Sequence, residues 1–180
     1  MTQPDFSRRR SLSKPELQAY ARRVPAAPIA MFDRITHIEH NDNRGRIIAE
    51  QDRLNDLWYP GSTGVEGIWQ LLAFYLILRG APAGGLALGC KEISCIGQLR
   101  AHHVCLRYDV SVTLVSQFRQ SGASIAKGDG VILADGESIC SIRDAQVAAF
   151  AAIQQDPSAS SSHRGSNPRA QGETVLHSRV

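Results

Sequence analysis

One long helical pattern, apolar on nearly every side, constrains the fold of this chain more than any other feature. Apolar side chains recur at helical spacing at Val65, Ile68, Trp69, Leu72 and Leu76. Leu71, Phe74 and Ile77 add apolar groups on other faces of the same helix. Such a helix has to be surrounded by protein, because no side of it suits contact with water. Gly80 and Pro82 end the pattern.

The segments around this helix have the character of β-strands. Before it, residues 31–38 and 46–51 flank a cluster of turn residues, which predicts a hairpin. After it come four strand candidates, at residues 86–95, 104–115, 123–134 and 138–148. Asp135-Gly136 predicts a tight turn between the last two. This order predicts an α+β fold in which one long antiparallel sheet is wrapped around a single central hydrophobic helix.

Both ends of the chain are polar. Residues 1–12 predict a disordered N-terminal tail, after which Ser13 and Glu16 have the spacing of a capping box at the start of a short helix. Residues 154–180 are rich in Ser, Pro, Arg and Gly and predict a disordered C-terminal tail, because they cannot bury enough apolar surface to offset chain entropy. We therefore expect a single domain over residues 13–153.

Composition argues against several classes of protein. A net charge of +3 over 180 residues gives no reason to expect nucleic-acid binding. The N-terminus lacks the apolar segment of a signal peptide, and the longest apolar run is far shorter than the roughly 20 residues of a membrane-spanning helix. Cys90, Cys95, Cys105 and Cys140 form no C-x-x-C pair and fall in predicted strands. We therefore expect four free thiols, no metal site, and a cytoplasmic protein that does not bind membranes.

The start of the central helix carries the most specific motif of the chain. Residues 56–59 read Asp-Leu-Trp-Tyr, residues 60–62 read Pro-Gly-Ser, and residues 64–70 read Gly-Val-Glu-Gly-Ile-Trp-Gln. The motif resembles the signature of the β-hydroxydecanoyl-ACP dehydratase/isomerase family, the FabA-like family. In that family Pro-Gly-Cys opens the helix and Gly-Leu-Asp-x-x-Trp-Gln lies within it. The resemblance extends from about Val24 to Phe150.

This resemblance implies a hot-dog fold and an enzyme that acts on acyl chains tethered to acyl carrier protein. Members of the family remove water from a 3-hydroxyacyl thioester, and some of them then move the double bond. They usually act as dimers and use a His from one subunit with an Asp from the helix of the other. The resemblance implies no cofactor.

The chain departs from the family pattern at the catalytic positions. The family loop that carries Gly-Cys-His-Phe, with the catalytic His, is missing, since Trp58 and Tyr59 run directly into Pro60. Glu66 stands where the family has Asp, and Ser62 stands where it has Cys. None of the six histidines lies in this region.

Glu66 is the expected catalytic residue, because a carboxyl group facing an acyl tunnel can remove and return a proton. Thr63 precedes it by three residues, so a purely structural capping role is the alternative. The backbone N–H groups of Gly61 and Ser62, at the helix start, are expected to bind the thioester oxygen, unless these residues only form the turn. Gln70 lies one turn further, where it orients the carboxylate, binds water or is a satisfied buried amide.

Aromatic residues and histidines complete the candidates. Trp58 and Tyr59 border the missing loop, and they are expected to fill the space it leaves and to support the substrate tunnel. Trp69 forms part of the core or of the substrate tunnel, and its spacing favours the core. His102 and His103 are candidates for a relocated base, although at most one can enter the tunnel because neighbours on a strand point to opposite faces.

Three functions remain open for such a chain. The first is isomerisation of an unsaturated or polyene acyl thioester in polyketide or fatty-acid biosynthesis, since one carboxyl group can move a proton but does not readily expel hydroxide as well. The second is a 3-hydroxyacyl-ACP dehydratase subunit that forms a heterodimer with a His-bearing relative. The third is a non-catalytic module that binds acyl-ACP. The expected partners are acyl carrier protein and a second hot-dog subunit, identical or related.

Overall fold

Two helices and seven strands lie in the part of the chain that the structure describes. The structure is a computed structural model, and it describes residues 9–23, 31–52, 62–82, 84–97, 99–100, 103–118 and 120–150. The helices span Lys14–Arg23 (α1) and Ser62–Leu78 (α2). The strands span Arg34–Asn41 (β1), Arg44–Asp52 (β2), Gly84–Gly89 (β3), Glu92–Ser94 (β4), Cys105–Phe118 (β5), Ala123–Ala134 (β6) and Glu137–Phe150 (β7). Neither of these helices has the length and apolar character needed to cross a membrane. The predicted C-terminal tail lies outside the described residues.

The strands form one antiparallel sheet in the order β1-β2-β5-β6-β7-β3. β4 lies off this path and pairs with β7, as β3 does. This arrangement, with α2 against the sheet, confirms the predicted α+β fold. The single strand predicted over residues 86–95 is wrong in detail, because it is divided into β3 and β4. The division follows Gly89, whose φ of 141° takes the chain out of the strand conformation.

Helix α2 packs against the sheet and forms the centre of the core, as its apolar pattern predicts. Its side chains with no exposed surface are Ile68, Leu71, Leu72, Phe74, Tyr75 and Leu76. Two glycines allow this close approach. A Cβ atom at Gly67 would lie 2.5 Å from Cε1 of Tyr108 on β5, and one at Gly130 on β6 would lie 2.6 Å from Cδ1 of Ile68. The absence of a side chain at these two positions therefore sets the distance between α2 and the sheet.

The β6–β7 hairpin turns at Asp135 and Gly136, as predicted. Their φ angles are 46° and 93°, and two positive φ angles are what the tightest hairpin turn requires. The Asp135 carboxylate also accepts the backbone N–H groups of Val104 and Cys105 at 3.0 and 2.9 Å. This turn is therefore fastened to the start of β5.

Helix α1 begins with the predicted capping box. A carboxylate oxygen of Glu16 accepts both the backbone N–H and the hydroxyl of Ser13, each at 2.8 Å. Further along α1, Tyr20 is buried, and its ring meets that of Phe74 edge-on, with ring centroids 5.2 Å apart. This ring contact attaches α1 to α2.

The prediction of a disordered tail over residues 1–12 is wrong at Arg10 and Leu12. Leu12 is 2% exposed and exchanges two backbone hydrogen bonds with Ile35 of β1, at 2.8 and 2.9 Å. Arg10 also accepts the backbone N–H of Ile38 through its carbonyl oxygen at 2.8 Å. The apolar side chain of Leu12 packs beside β1. The sequence did not predict this contact, because the residues around Leu12 are polar. Residues 1–8 lie outside the described residues.

The expectation of four free cysteines is wrong. Cys95 and Cys140 form a disulfide, whereas Cys90 and Cys105 are free and half-buried. The two bonded residues are 45 positions apart in the sequence. Their pairing depends on the register between β4 and β7, which spacing along the chain does not reveal.

Candidate functional site

Glu66 lies near the start of α2 and is the only charged residue among the 17 of this helix. The helix begins at Ser62, so Thr63 is already helical and Glu66 lies beyond the position from which a capping-box side chain reaches back. Glu66 is exposed, and no hydrogen bond or ion pair of its carboxylate is found among the described residues. In the single chain this carboxylate is therefore open to solvent, rather than enclosed in a tunnel as we expected.

Gln70 lies one helical turn after Glu66 and is half-buried. Its Oε1 atom is fully buried and has no hydrogen-bond partner in the part of the chain that the structure describes. A buried amide oxygen without a donor costs about 1–3 kcal/mol. The interpretation of Gln70 as a buried amide with all its hydrogen bonds made therefore does not agree with the structure. Its oxygen is available to a donor from a ligand, a water molecule or another chain.

Two contacts show that α2 runs alongside β3. The indole N–H of Trp69 donates to the carbonyl oxygen of Gly89 at 3.3 Å, and Trp69 is half-buried against the core. A Cβ atom at Gly85 would lie 3.8 Å from that of Ala73. Residues 69–73 of the helix therefore lie beside residues 85–89 of the strand, and the helix and the strand run in opposite directions. The turn that carries Glu66 lies toward the end of β3.

The structure describes only one of the other candidate residues at and before the start of α2. Ser62 is the first residue of α2. Trp58, Tyr59 and Gly61 lie outside the described residues. Their assignment to thioester binding and to the tunnel stays a prediction.

His103 is buried, and one of its ring nitrogens accepts a backbone hydrogen bond. It is 3% exposed and lies just before β5. Its Nδ1 atom accepts the backbone N–H of Arg100 at 3.1 Å, and its own backbone N–H donates to the Arg100 carbonyl oxygen at 3.2 Å. These contacts fit a structural role in a turn. His102, the other candidate, lies outside the described residues.

Sequence reasoning did not identify a polar pair beneath the start of α2, formed by the buried Tyr108 and the half-buried Gln51. The Tyr108 hydroxyl donates to Oε1 of Gln51 at 3.1 Å. The ring of Tyr108 lies directly under Gly67, the residue after Glu66. A glycine inside an otherwise apolar helix was the available signal, because it marks a place where another group comes close.

Charged groups at the end of β2 are bound to one another. Arg34 donates to Glu50 at 2.7 Å and to both carboxylate oxygens of Asp52 at 2.8 and 2.9 Å. These hydrogen bonds from Arg34 lower the pKa of Asp52. Burial raises the pKa of the nearby Cys105 thiol, and the negative charge of Glu50 adds to the effect. Both groups are thereby held in their ordinary charge state, Asp52 ionised and Cys105 neutral.

No three His, Cys, Asp or Glu side chains within the described ranges are grouped so that they could hold a metal ion. The described groups at the start of α2 are one exposed carboxylate, one buried amide oxygen without a partner among the described residues, and the helix N-terminus.

Comparison with known proteins identifies the family. Among solved structures, a mutant thioesterase from Pseudomonas aeruginosa is similar, with 13% sequence identity, a TM-score of 0.39, and coverage of 77% of this chain and 94% of that chain. A thioesterase family protein from Silicibacter pomeroyi has 11% identity, a TM-score of 0.40, and coverage of 74% and 96%. The family assignment rests on a separate match, to the FabA-like domain, over residues 24–143. Because this match covers most of the chain, the protein belongs to the FabA-like family and has its hot-dog fold.

Proposed function

We propose that this protein acts on acyl chains carried as thioesters on acyl carrier protein, and that it isomerises a double bond in an unsaturated or polyene chain. The observation that carries the proposal is the position of Glu66, a lone carboxylate on an otherwise uncharged helix. The unpartnered amide oxygen of Gln70 one turn away supports it. Membership of the FabA-like family supports the acyl-thioester substrate. Polyketide or fatty-acid biosynthesis is the proposed setting, in the cytoplasm.

The proposed reaction needs only one group that exchanges a proton with carbon. The Glu66 carboxylate removes a proton from an acidic carbon of the unsaturated thioester, and the electron pair passes through the conjugated system to the thioester oxygen. Backbone N–H groups at the start of α2, near Gly61 and Ser62, stabilise that oxygen. Glu66 then returns the proton to another carbon of the chain. No group leaves, so no second acid is required.

The proposed active form is a homodimer in which a second chain covers the Glu66 carboxylate. β3 is last in the sheet order, and its outer edge pairs with no other described strand. Leu86 and Leu88 on this strand are 58% and 51% exposed, and the strand carries no charge. An apolar, unpaired edge strand is a ready site for pairing with another chain. Since α2 runs alongside β3, a chain bound there reaches the turn that carries Glu66.

The same edge supports a second candidate function. If the chain bound at β3 is a related hot-dog subunit that has kept its catalytic His, the two chains together hold both groups that dehydration needs. The protein is then one subunit of a heterodimeric 3-hydroxyacyl-ACP dehydratase, to which it contributes Glu66.

Incubation of the purified protein with carrier-bound acyl thioesters in deuterated water tests these proposals. The substrates are 3-hydroxyacyl, 2-enoyl and polyenoyl chains, and mass and double-bond geometry are followed. Isomerisation predicts deuterium uptake and bond migration from the enoyl and polyenoyl substrates, without loss of water from the 3-hydroxyacyl chain.

Other products of this experiment contradict the isomerase proposal in distinct ways. Loss of water by the protein alone would mean that another residue replaces the missing His. Release of the free acid would indicate hydrolysis of the thioester. Activity that begins only when a His-bearing relative is added would favour the heterodimer, and binding of acyl-ACP with no reaction would indicate a non-catalytic module.

A further inference from the structure

The disulfide between Cys95 and Cys140 continues the pairing of β4 with β7. In this ladder Ile93 is opposite Ile142 and Ser94 is opposite Ser141. The next pair in the same register is Cys95 with Cys140, and the two sulfur atoms are bonded. The cross-link therefore joins two directly opposed residues at the point where the short strand β4 ends.

The two sulfur-bearing residues differ sharply in exposure. Cys95 is exposed, whereas Cys140 is 4% exposed and belongs to the core. Its neighbours Ile139 and Ile142 are 4% and 1% exposed. A thiol in solution therefore reaches the disulfide from the side of Cys95, and Cys140 is protected.

Apart from the three pairs of the β4–β7 ladder and a solvent-exposed ion pair between Glu92 and Arg143 at 3.2 Å, few contacts hold the segment that carries Cys95. β4 has only three residues, and Ile93 and Ile96 on this segment are 47% and 86% exposed. The backbone N–H of Gly97 donates to the Ile139 carbonyl oxygen at 3.1 Å, and that of Lys91 donates to the Arg143 carbonyl oxygen at 3.0 Å. Because the segment buries so little apolar surface, the covalent link is its main attachment to β7 beyond Ser94.

We infer that Cys95–Cys140 is a redox-active modification site, at which a thiol or dithiol reductant attacks Cys95 and releases the end of β4 from β7. This inference does not depend on the proposed function. It concerns a part of the chain that contains neither Glu66 nor Gln70.

The reaction is thiol–disulfide exchange with a dithiol as the electron donor. A thiolate of the reductant attacks Sγ of Cys95, a mixed disulfide forms, and the bond to Cys140 breaks. Cys140 leaves as a thiolate and takes a proton from solvent. The second thiol of the reductant then attacks the reductant's sulfur atom in the mixed disulfide. This step releases Cys95 as a thiolate and closes the reductant to an internal disulfide. Two electrons pass from the dithiol to the protein.

The test uses the full chain with Cys90→Ser and Cys105→Ser, so that only the two bonded cysteines remain. The protein is reduced with dithiothreitol in native buffer, its thiols are then alkylated with iodoacetamide in denaturant, and its mass is measured. The count of alkylated cysteines is expected to rise from none before reduction to two after it. A monothiol, glutathione, is then used to trap the mixed disulfide, which peptide mapping is expected to locate on Cys95.

A second readout follows the release of the segment. Hydrogen exchange of the peptide covering residues 91–97 is expected to speed up on reduction, while exchange in β5 and β6 stays unchanged. Single variants provide a matched pair: the thiol of Cys95 in Cys140→Ser is expected to react with iodoacetamide faster than the thiol of Cys140 in Cys95→Ser.

Four results would overturn the inference. The first is that protein purified in air already contains two free thiols, and the second is that the disulfide is reduced only after unfolding in denaturant. The third is a glutathione adduct on Cys140, and the fourth is that hydrogen exchange over residues 91–97 does not change after reduction.

Discussion

Gln70 presents the clearest conflict between stability and function at a single residue. Its buried amide oxygen has no partner among the described residues, although the helix around it is apolar. A residue selected only for packing would be apolar at this position, since an unpaired buried amide destabilises the folded state. We therefore expect its oxygen to be used by a ligand or by a second chain.

Replacement of Gln70 by Leu is expected to separate these two effects. The variant should gain about 1 kcal/mol in free energy of unfolding, because the unpaired amide oxygen is removed. Its isomerase activity should fall, because the group that orients Glu66 or the substrate is lost. Urea unfolding and the carrier-bound assay measure the two quantities. A loss of stability in Gln70→Leu would show that the amide is satisfied in the native protein.

His40 is expected to make stability depend on pH. Both ring nitrogens are buried without a hydrogen-bond partner among the described residues, and the ring lies 5.0 Å from that of Tyr75. Burial lowers the pKa of His40, and the positive charge of Arg79 lowers it further. The unfolded chain therefore binds a proton more readily than the folded one.

The pH dependence of the free energy of unfolding follows from this difference in proton binding. The free energy of unfolding should fall as pH drops below about 6.5, the ordinary pKa of histidine, because protonation favours the unfolded chain. Replacement of His40 by Phe keeps a ring beside Tyr75 and removes the titrating group, so stability should vary less with pH in this range. Urea unfolding at a series of pH values compares the two proteins, and equal slopes would contradict the role of His40.

At the scale of elements, the contact between α2 and β5 depends on Gly67. Alanine favours a helix over glycine by about 1 kcal/mol, so Gly67→Ala would stabilise α2 in isolation. In the protein the added Cβ would lie 2.5 and 2.9 Å from two ring atoms of Tyr108. We expect overpacking to prevail and the variant to lose about 1–3 kcal/mol in free energy of unfolding.

A double-mutant comparison provides the control for this prediction. In a Tyr108→Ala background the ring is gone, so Gly67→Ala should be neutral or stabilising. Denaturant unfolding of the four proteins gives the coupling between the two residues. A stabilised Gly67→Ala single variant would mean that α2 does not lie as close to β5 as the structure places it.

The elements themselves could largely be predicted from the sequence, because their signals are local. The apolar pattern of α2, the capping box of α1 and the Asp135-Gly136 turn each depend on residues a few positions apart. What could not be predicted depends on contacts between distant segments. The Cys95–Cys140 disulfide, the pairing of Leu12 with β1 and the Tyr108–Gln51 hydrogen bond are of this kind.

The candidate site was predictable in part for the same reason. The position of Glu66 near the helix start follows from the local motif, and so does its spacing from Gln70. Its exposure does not, because that depends on what lies beside α2. The sequence of α2 predicts a surrounded helix, yet the described chain leaves the Glu66 turn open. This is the place where a second chain is expected.

At the scale of the whole molecule, the free edge of β3 predicts association. Replacement of both Leu86 and Leu88 by Lys places two charges on this edge, and we expect the dimer to dissociate, because charged edge strands resist pairing. Phe118, which is 49% exposed at the far end of β5, provides the control: Phe118→Lys should leave the dimer intact. Sedimentation equilibrium distinguishes the masses. A monomeric native protein, or a dimeric double variant, would contradict pairing through β3.

The proton transfer assigned to Glu66 is the central claim, and deuterium exchange at carbon tests it most directly. The native protein, Glu66→Gln and Glu66→Asp are incubated in deuterated water with a carrier-bound polyenoyl thioester, and deuterium in the acyl chain is measured by mass. We predict uptake by the native protein, a loss of at least about 10²-fold in Glu66→Gln, and partial retention in Glu66→Asp, which keeps a carboxyl group. Folding of each variant is checked by circular dichroism. Uptake by a folded Glu66→Gln variant at the native rate would contradict the claim.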